Sequence, residues 1–306
     1  MPQLTLTGPP LLPPLLARGA LLSPCKSRRL PRTAARHGVG TVGRLDRLVL
    51  PGVRIDLAHL AAYERVCGFP TGEDAVPLTY PHVLGFPLAM RIMSGRDFPL
   101  PLLGLVHTSI EITRRRRLPA TGEYELTVYV DGLTPHRRGT EATVVTEVRD
   151  IGGDCGCDEI AWESRSTYLA RHRVDDAPNP VGEKGRPTAA LLPALAEWRL
   201  GADVGRRYGA VSGDRNPIHL HPLGARLFGF PRAIAHGMWT VARCLAEHGT
   251  PPAALVRAEF RAPVPLPSTV TYAADGRPGG DFELRGTDRK GGQRVHVKGS
   301  VYPLIQ

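Results

Sequence analysis

The chain repeats itself, and an internal repeat restricts the possible folds more than any compositional feature does. Tyr63, Val66, Cys67 and Gly68 recur with the same spacing as Tyr208, Val211, Ser212 and Gly213. Phe69 closes the first copy where Asp214 closes the second. Further on, Leu84-Gly85-Phe86 precedes an apolar helical segment from Pro87 to Met93, and His236-Gly237-Met238 opens a corresponding one. Strand-like runs then follow in both copies: Leu105–Thr113, Glu123–Asp131, Glu141–Asp150 and Glu159–Ala170, and later Leu255–Ala262, Thr269–Ala274, Asp281–Asp288 and Gln293–Tyr302. Turn-forming stretches such as Pro119–Gly122 and Asp288–Gly292 separate them. The segment from Glu123 to Val130 alternates polar and apolar residues, as a half-buried antiparallel strand requires.

Each copy therefore reads as a lead-in, one central helix and several antiparallel strands, an α+β arrangement of a helix wrapped by a curved sheet. The expected organisation is a Pro/Leu-rich, basic extension over residues 1–50, a first unit over 51–172, a linker over 173–187 rich in Asp, Pro, Gly and Asn, and a second unit over 188–306. Two similar units joined this way form a fused pseudo-dimer with its sheets side by side.

Composition narrows the functional classes. Of the 306 residues, 42% are hydrophobic and 22% charged, which describes a globular protein rather than a disordered one. No apolar run is long enough to span a membrane. The Leu-rich stretch of residues 1–22 is broken by Pro9, Pro10, Pro13 and Pro14, lacks a basic start and a clean cleavage site, and is read as an extension that lies on the body or stays mobile. Five cysteines without framework spacing fit a reducing, cytoplasmic setting. Cys155 and Cys157 lie in a Gly/Asp-rich loop without a second pair and are given no metal or redox role.

The net charge of +10 suits phosphorylated ligands or an acidic carrier protein. Nucleic acid is not expected, because no recognition module or aromatic interleaving accompanies the basic residues. The run Arg114–Arg117 is read as a solvated loop at a strand end. Gly38 to Gly43 fits a dinucleotide fingerprint by letter, but no strand precedes it and no helix follows.

The segment from Tyr208 to His219 carries the chemistry. Asn216-Pro217 reads as a helix start, with Asn as N-cap and Pro at the first helical position. Asp214 lies just before that turn and His219 inside it, so a loop-plus-turn can aim both side chains into one cleft. His221 and Pro222 lead a short helix, Leu223–Phe228, closed by Gly229. Ile234 to Met238 then opens the central helix, which runs to Glu247 or His248 with Gly249 as its cap. Thr240, Arg243 and Glu247 fall on its polar stripe. Gly237 N–H would be an unpaired donor at the positive end of that helix, suited to an anionic oxygen.

The run from Ser212 to His219, with Phe230 to Met238 downstream, closely resembles the (R)-specific enoyl thioester hydratases of the MaoC-like group. The resemblance is strong over about Tyr208 to Tyr302 and weak in the first copy. It implies a hot-dog fold, here a double hot-dog in which only one half keeps the motif. It further implies that Asp214 and His219 bind and activate a water, that Gly237 N–H holds the thioester oxygen, and that Ser212, Asn216 and His236 support them. His221 departs from the pattern, where many relatives carry Asp, and this bears on helix capping and local pKa. The implied reaction is hydration of a trans-2-enoyl thioester or dehydration of an (R)-3-hydroxyacyl thioester, on CoA or acyl carrier protein. It needs no cofactor and no metal, although His219, His221 and His236 are metal-capable residue types.

The first copy lacks the acid/base pair, with Phe69 in place of Asp214 and Leu84 aligned to His236. It is expected to have lost catalysis and to widen a tunnel for a longer acyl chain. Two rival readings stand beside the hydratase: a hot-dog thioesterase, and a non-catalytic acyl-thioester-binding partner subunit. A homodimer is compatible with either.

Overall fold

The computed structural model describes residues 3–30, 47–152, 159–174, 191–276, 279–287 and 291–305. The Cys155/Cys157 pair, the Gly38–Gly43 run and most of the expected linker lie outside these residues.

The extension begins with β1 (Gln3–Thr5) and α1 (Leu12–Ser27). β1 pairs in parallel with β2 (Arg47–Arg54), so Arg47–Leu50 belong to the sheet rather than to the extension. α2 (Leu57–Cys67) follows, capped by the Asp56 carboxylate, which accepts from the Ala58 and His59 N–H groups, and ended by Gly68 at φ 82°. The central helix α3 (Tyr80–Met93) comes next, starting about two turns earlier than the apolar segment from Pro87 suggested. β3 (Leu105–Arg114), β4 (Glu123–His136), β5 (Gly139–Asp150) and β6 (Ile160–Arg171) complete the first half.

The second half opens with β7 (Ala194–Leu200), α4 (Val204–Ser212), α5 (Pro217–Leu220), α6 (Pro222–Leu227) and the central helix α7 (Gly237–His248). It closes with β8 (Ala254–Phe260), β9 (Ser268–Ala274), β10 (Gly280–Thr287) and β11 (Gln293–Pro303). Among the described residues the strands form one 11-stranded sheet in the order β1-β2-β4-β5-β6-β3-β8-β11-β10-β9-β7. The halves meet side by side through antiparallel β3 and β8, where Ile112 pairs with Val256 and Glu111 opposes Arg257 with a 2.6 Å ion pair.

One apolar cluster runs through both halves and takes in Leu88, Met93 and Trp162 from the first and Val241, Leu245 and Phe282 from the second. Full burial of such a side chain contributes about 1.5–3 kcal/mol. α3 lies close on β5: a Cβ on Gly85 would come within 2.6 Å of Thr146 Cγ2. α1 is not loose. Arg18 donates to Arg91 O and Ser94 Oγ, and Lys26 donates to Gly95 O at 2.7 Å, fastening α1 along the end of α3.

A pseudo-two-fold axis relates the halves, and it corrects one correspondence. The Tyr63 and Tyr208 rings meet with centroids 6.2 Å apart. Tyr63 OH bonds Thr79 Oγ1 at 2.8 Å, while the Tyr208 ring packs on His236 at 4.9 Å. A Cβ on Gly68 would touch Arg243, and one on Gly213 would lie 3.9 Å from Phe86. Thr79, not Leu84, is therefore the counterpart of His236, and His82 is the counterpart of Trp239. The loop between α2 and α3 is shorter than that between α4 and α7, because α5 and α6 have no equivalent, and the apolar pattern alone hides this offset.

Two further expectations change. Arg114 is buried rather than solvated, donating to Pro251 O, to Pro252 O at 3.0 Å and to Thr250 Oγ1 at 3.1 Å across the junction of the halves. Thr240 is buried too, its hydroxyl donating to Gly237 O at 2.5 Å, so the polar stripe of α7 is narrower than its sequence implied.

Candidate active site

The loop after α4 is shaped by glycines. Gly213 ends the helix at φ 75°, a left-handed conformation that glycine adopts without strain. Gly205 and Gly209 lie one turn apart on α4. A Cβ on Gly205 would collide with the His219 carbonyl oxygen, and one on Gly209 would lie 2.9 Å from the Asp214 carbonyl oxygen. Backbone packs directly on backbone here. The Gly-x-x-x-Gly spacing was visible in the sequence but was not read as a feature of the site.

Three side chains then turn the loop in succession. Ser212 Oγ accepts from Asp214 N–H at 3.2 Å, Asp214 Oδ1 from Asn216 N–H at 3.1 Å, and Asn216 Oδ1 from Ile218 N–H at 3.4 Å. Asn216 is the N-cap of α5 with Pro217 behind it. His221 Nδ1 accepts from Leu223 N–H at 3.2 Å, so this residue caps α6 as an aspartate would.

His219 and His236 stack with ring centroids 3.7 Å apart. His219 Nδ1–H donates to Ile234 O at 2.8 Å, which leaves the Nε2 lone pair available. His236 Nε2–H donates to Asp214 O at 2.9 Å, and the same nitrogen lies 3.9 Å from Asp214 Oδ2. His236 Nδ1 is buried without a partner. Burial holds both imidazoles below their ordinary 6.5, His236 down to about 3, against the opposing pull of the Asp214 charge. The Asp214 side chain is 30% exposed where that of His236 is 2% exposed, so the carboxylate is the group that meets the cleft.

A carboxylate oxygen of Asp214 and a nitrogen of each histidine lie within 4.8 Å of one another, a spacing one water can bridge. The same trio is metal-like in residue type. Its donor chemistry fits poorly at His236, whose nitrogen on the Asp214 side is protonated toward the Asp214 carbonyl and so offers no lone pair there, whereas His219 alone keeps a free nitrogen.

Gly237 is the first residue of α7, so its N–H has no partner within the helix. A Cβ there would come within 2.9 Å of the Phe260 ring. All six residues singled out from sequence, Ser212, Asp214, Asn216, His219, His236 and Gly237, converge on this one place.

Sequence reasoning expected the first half to widen the cleft but did not identify the residues it brings there. Phe86 of α3 packs on Gly213, and His82 lies one turn earlier on the same helix. His107 of β3 stacks on Tyr168 at 4.5 Å and, at 6.2 Å, on His82, and meets Phe260 in a tilted contact at 4.7 Å. His82 Nδ1 and His107 Nε2 are buried without partners. Burial depresses His82 to about 4 and His107 to about 3, and the Asp214 charge acts on both His82 and Tyr168. No local pattern announces which residues cross between halves.

With this geometry in hand, comparison places the chain. The family model described as a MaoC like domain matches residues 182–276. The 3-hydroxyacyl-thioester dehydratase X of Mycobacterium tuberculosis is 39% identical over 262 residues, covering 82% of this chain and 90% of that protein. The crystal structure of HtdX from Mycobacterium tuberculosis superposes with a TM-score of 0.69 at 34% identity, covering 84% of this chain and 100% of that one. A further Mycobacterium tuberculosis protein, described as having a double hot-dog fold, superposes with a TM-score of 0.51 at 13% identity over 82% of this chain and 92% of its own, a likeness of fold alone. The chain belongs to the MaoC-like dehydratases, hydro-lyases of the hot-dog fold, and carries that fold in its doubled form.

Proposed function

We propose that the protein interconverts (R)-3-hydroxyacyl thioesters and trans-2-enoyl thioesters carried on coenzyme A or acyl carrier protein, with residues 188–306 as the catalytic half. The observation that carries this reading is the opposed bonding of the stacked histidines: His219 spends its Nδ1–H on Ile234 O and keeps a free Nε2 near the half-buried Asp214 carboxylate.

In the hydration direction a water held between Asp214 and His219 attacks C3, and its proton passes to the pair. Negative charge gathers on the thioester oxygen, where Gly237 N–H receives it. A proton from the pair then reaches C2, and the groups return to their starting state. Dehydration runs through the same steps in reverse: the pair removes the C2 proton and protonates the departing hydroxyl. Positioned proton transfer supplies about 10²–10⁴-fold, and a preorganised donor at the oxyanion on the order of 3–4 kcal/mol. Burial keeps His219 neutral and ready to accept a proton.

The first half, from β2 to β6, is the degenerate one. Phe69 cannot exchange a proton, and α3 with β3 and β6 lines the cleft to receive the acyl chain. The test is incubation with short and long trans-2-enoyl-CoA substrates, followed by chiral analysis of the product. The proposal expects the (R)-3-hydroxyacyl thioester and no free thiol. The (S) product would overturn the stereochemical reading, release of thiol would establish a thioesterase, and tight binding without turnover would establish a binding subunit.

A further inference from the structure

The pseudo-two-fold axis gives the active-site cleft a counterpart at Gly68, and the two places have diverged. Beside Gly213, Leu12 of α1 seats itself on the glycine together with Phe86. No second helix plays that part beside Gly68 among the described residues. A cavity of about 410 Å³ opens there, bounded by the end of α2, by β7, by the start of α4 and by α7.

Its lining is strongly basic. Arg65, Arg199, Arg207 and Arg243 face it, with Glu197 as the single acidic residue. The side chains of Arg65 and Arg199 make no ion pair or hydrogen bond among the described residues. Arg207 has only a long 3.9 Å contact with the exposed Asp203. Arg243 is held in place instead, donating to Glu247 at 3.1 Å with its guanidinium 4.1 Å from the Trp198 ring centroid. Trp198 in turn stacks on Tyr272 at 5.4 Å, and Trp239 Nε1 donates to Val66 O at 2.9 Å.

The cavity thus combines a rigid floor with uncommitted guanidinium groups at its rim. Net positive charge in a concave site raises the local concentration of anions, and the planar donor fork of arginine matches phosphate oxygens in pairs. A volume of this size lies within the range of small-molecule sites.

We propose that this vestigial site binds a phosphate-bearing ligand without turning it over. Catalysis is not available there, because Phe69 replaces the aspartate and Thr79 the supporting histidine. The ligand class is a phosphate or diphosphate group, whether free or carried on a nucleotide. This site is separate from the reaction cleft, so its existence does not depend on which thioester the enzyme uses.

The experiment is isothermal titration of the full chain with pyrophosphate and, in parallel, with adenosine 3′,5′-bisphosphate, at low ionic strength. Wild type, Arg65→Ala/Arg199→Ala and Asp214→Asn are compared. The proposal expects binding to wild type, equal binding to Asp214→Asn, and at least a tenfold loss in the double variant, with roughly tenfold per charged bond as the scale. Tighter binding of the bisphosphate than of pyrophosphate identifies a nucleotide source; equal binding identifies a free phosphate compound. Both arginines are exposed, so thermal melting and enoyl-thioester turnover should be unchanged in the double variant. No heat with wild type, affinity unaltered by the double substitution, or loss of binding in Asp214→Asn would each overturn the proposal.

Discussion

His219 and His236 stack at 3.7 Å yet face opposite ways in their hydrogen bonding, one donating from Nδ1 to Ile234 O and the other from Nε2 to Asp214 O. In the proposed mechanism the pair is therefore one base and one brace: His236 bonds the backbone of Asp214, and His219 keeps a lone pair for the water. Burial makes a proton on either ring costly.

This arrangement has a signature in pH. His219 is held below its ordinary 6.5, so its neutral form persists as pH falls through 6.5. The acid limb of kcat/KM should therefore lie below pH 6.5. A limb at or above that value would show that His219 is not the buried base described here.

Stability should follow the same chemistry with a definite sign. His236 titrates at about 3 when folded and near 6.5 when unfolded. Between those values the unfolded chain binds the additional proton, so stability rises with pH across that window. The contribution is complete above pH 6.5 and is lost as pH falls toward 3. Urea unfolding of wild type and His236→Asn across pH 4–7 checks this, and the variant should show the shallower dependence.

The glycines of α4 should tolerate no side chain. Gly205→Ala places a methyl against the His219 carbonyl oxygen. The expected cost is about 1–3 kcal/mol, together with a loss of kcat because the moved backbone carries the base. Arg206→Ala on the exposed face of the same helix should stay within about 0.5 kcal/mol. Thermal melts of the two variants make the comparison.

The first half should set chain length. His82 occupies the position that Trp239 fills on the other side of the pseudo-two-fold axis. His82→Trp should reduce kcat/KM for long enoyl chains at least tenfold and for a four-carbon chain by less than threefold. Equal losses for both would remove the acyl-tunnel role from this wall.

Arg114 should act as a rivet between halves. Its guanidinium satisfies three acceptors at Thr250, Pro251 and Pro252, all beyond the linker in sequence. Arg114→Ala removes three hydrogen bonds from a charged donor to part-buried acceptors, at about 1–3 kcal/mol in all. Differential calorimetry should show a lowered Tm.

Much of this was legible in the chain. The eight strand runs were located to within two residues at each end, save for β4, which runs five residues past the expected Asp131, because alternation and turn chemistry are local. The motif residues were legible as well, since Asn216-Pro217 and His236-Gly237 declare helix starts by themselves. What stayed hidden depends on long-range packing. β1, β2 and β7 lie toward the sheet's edges, where short or interrupted patterns carry little signal. Arg114 reads as one more arginine in a basic run until the second half closes over it. His82, His107 and Tyr168 come from separate elements, and only the fold brings them toward Asp214.

The most direct measurement is loss of the conjugated absorbance of a trans-2-enoyl-CoA, followed with wild type and Asp214→Asn side by side. The asparagine keeps an oxygen to accept from Asn216 N–H, so the loop should retain its shape while the carboxylate disappears. Wild type should consume the absorbance, and the variant should be slower by about 10²–10⁴-fold with unchanged melting. Comparable rates for the two proteins would contradict the assignment of Asp214 to the acid/base pair.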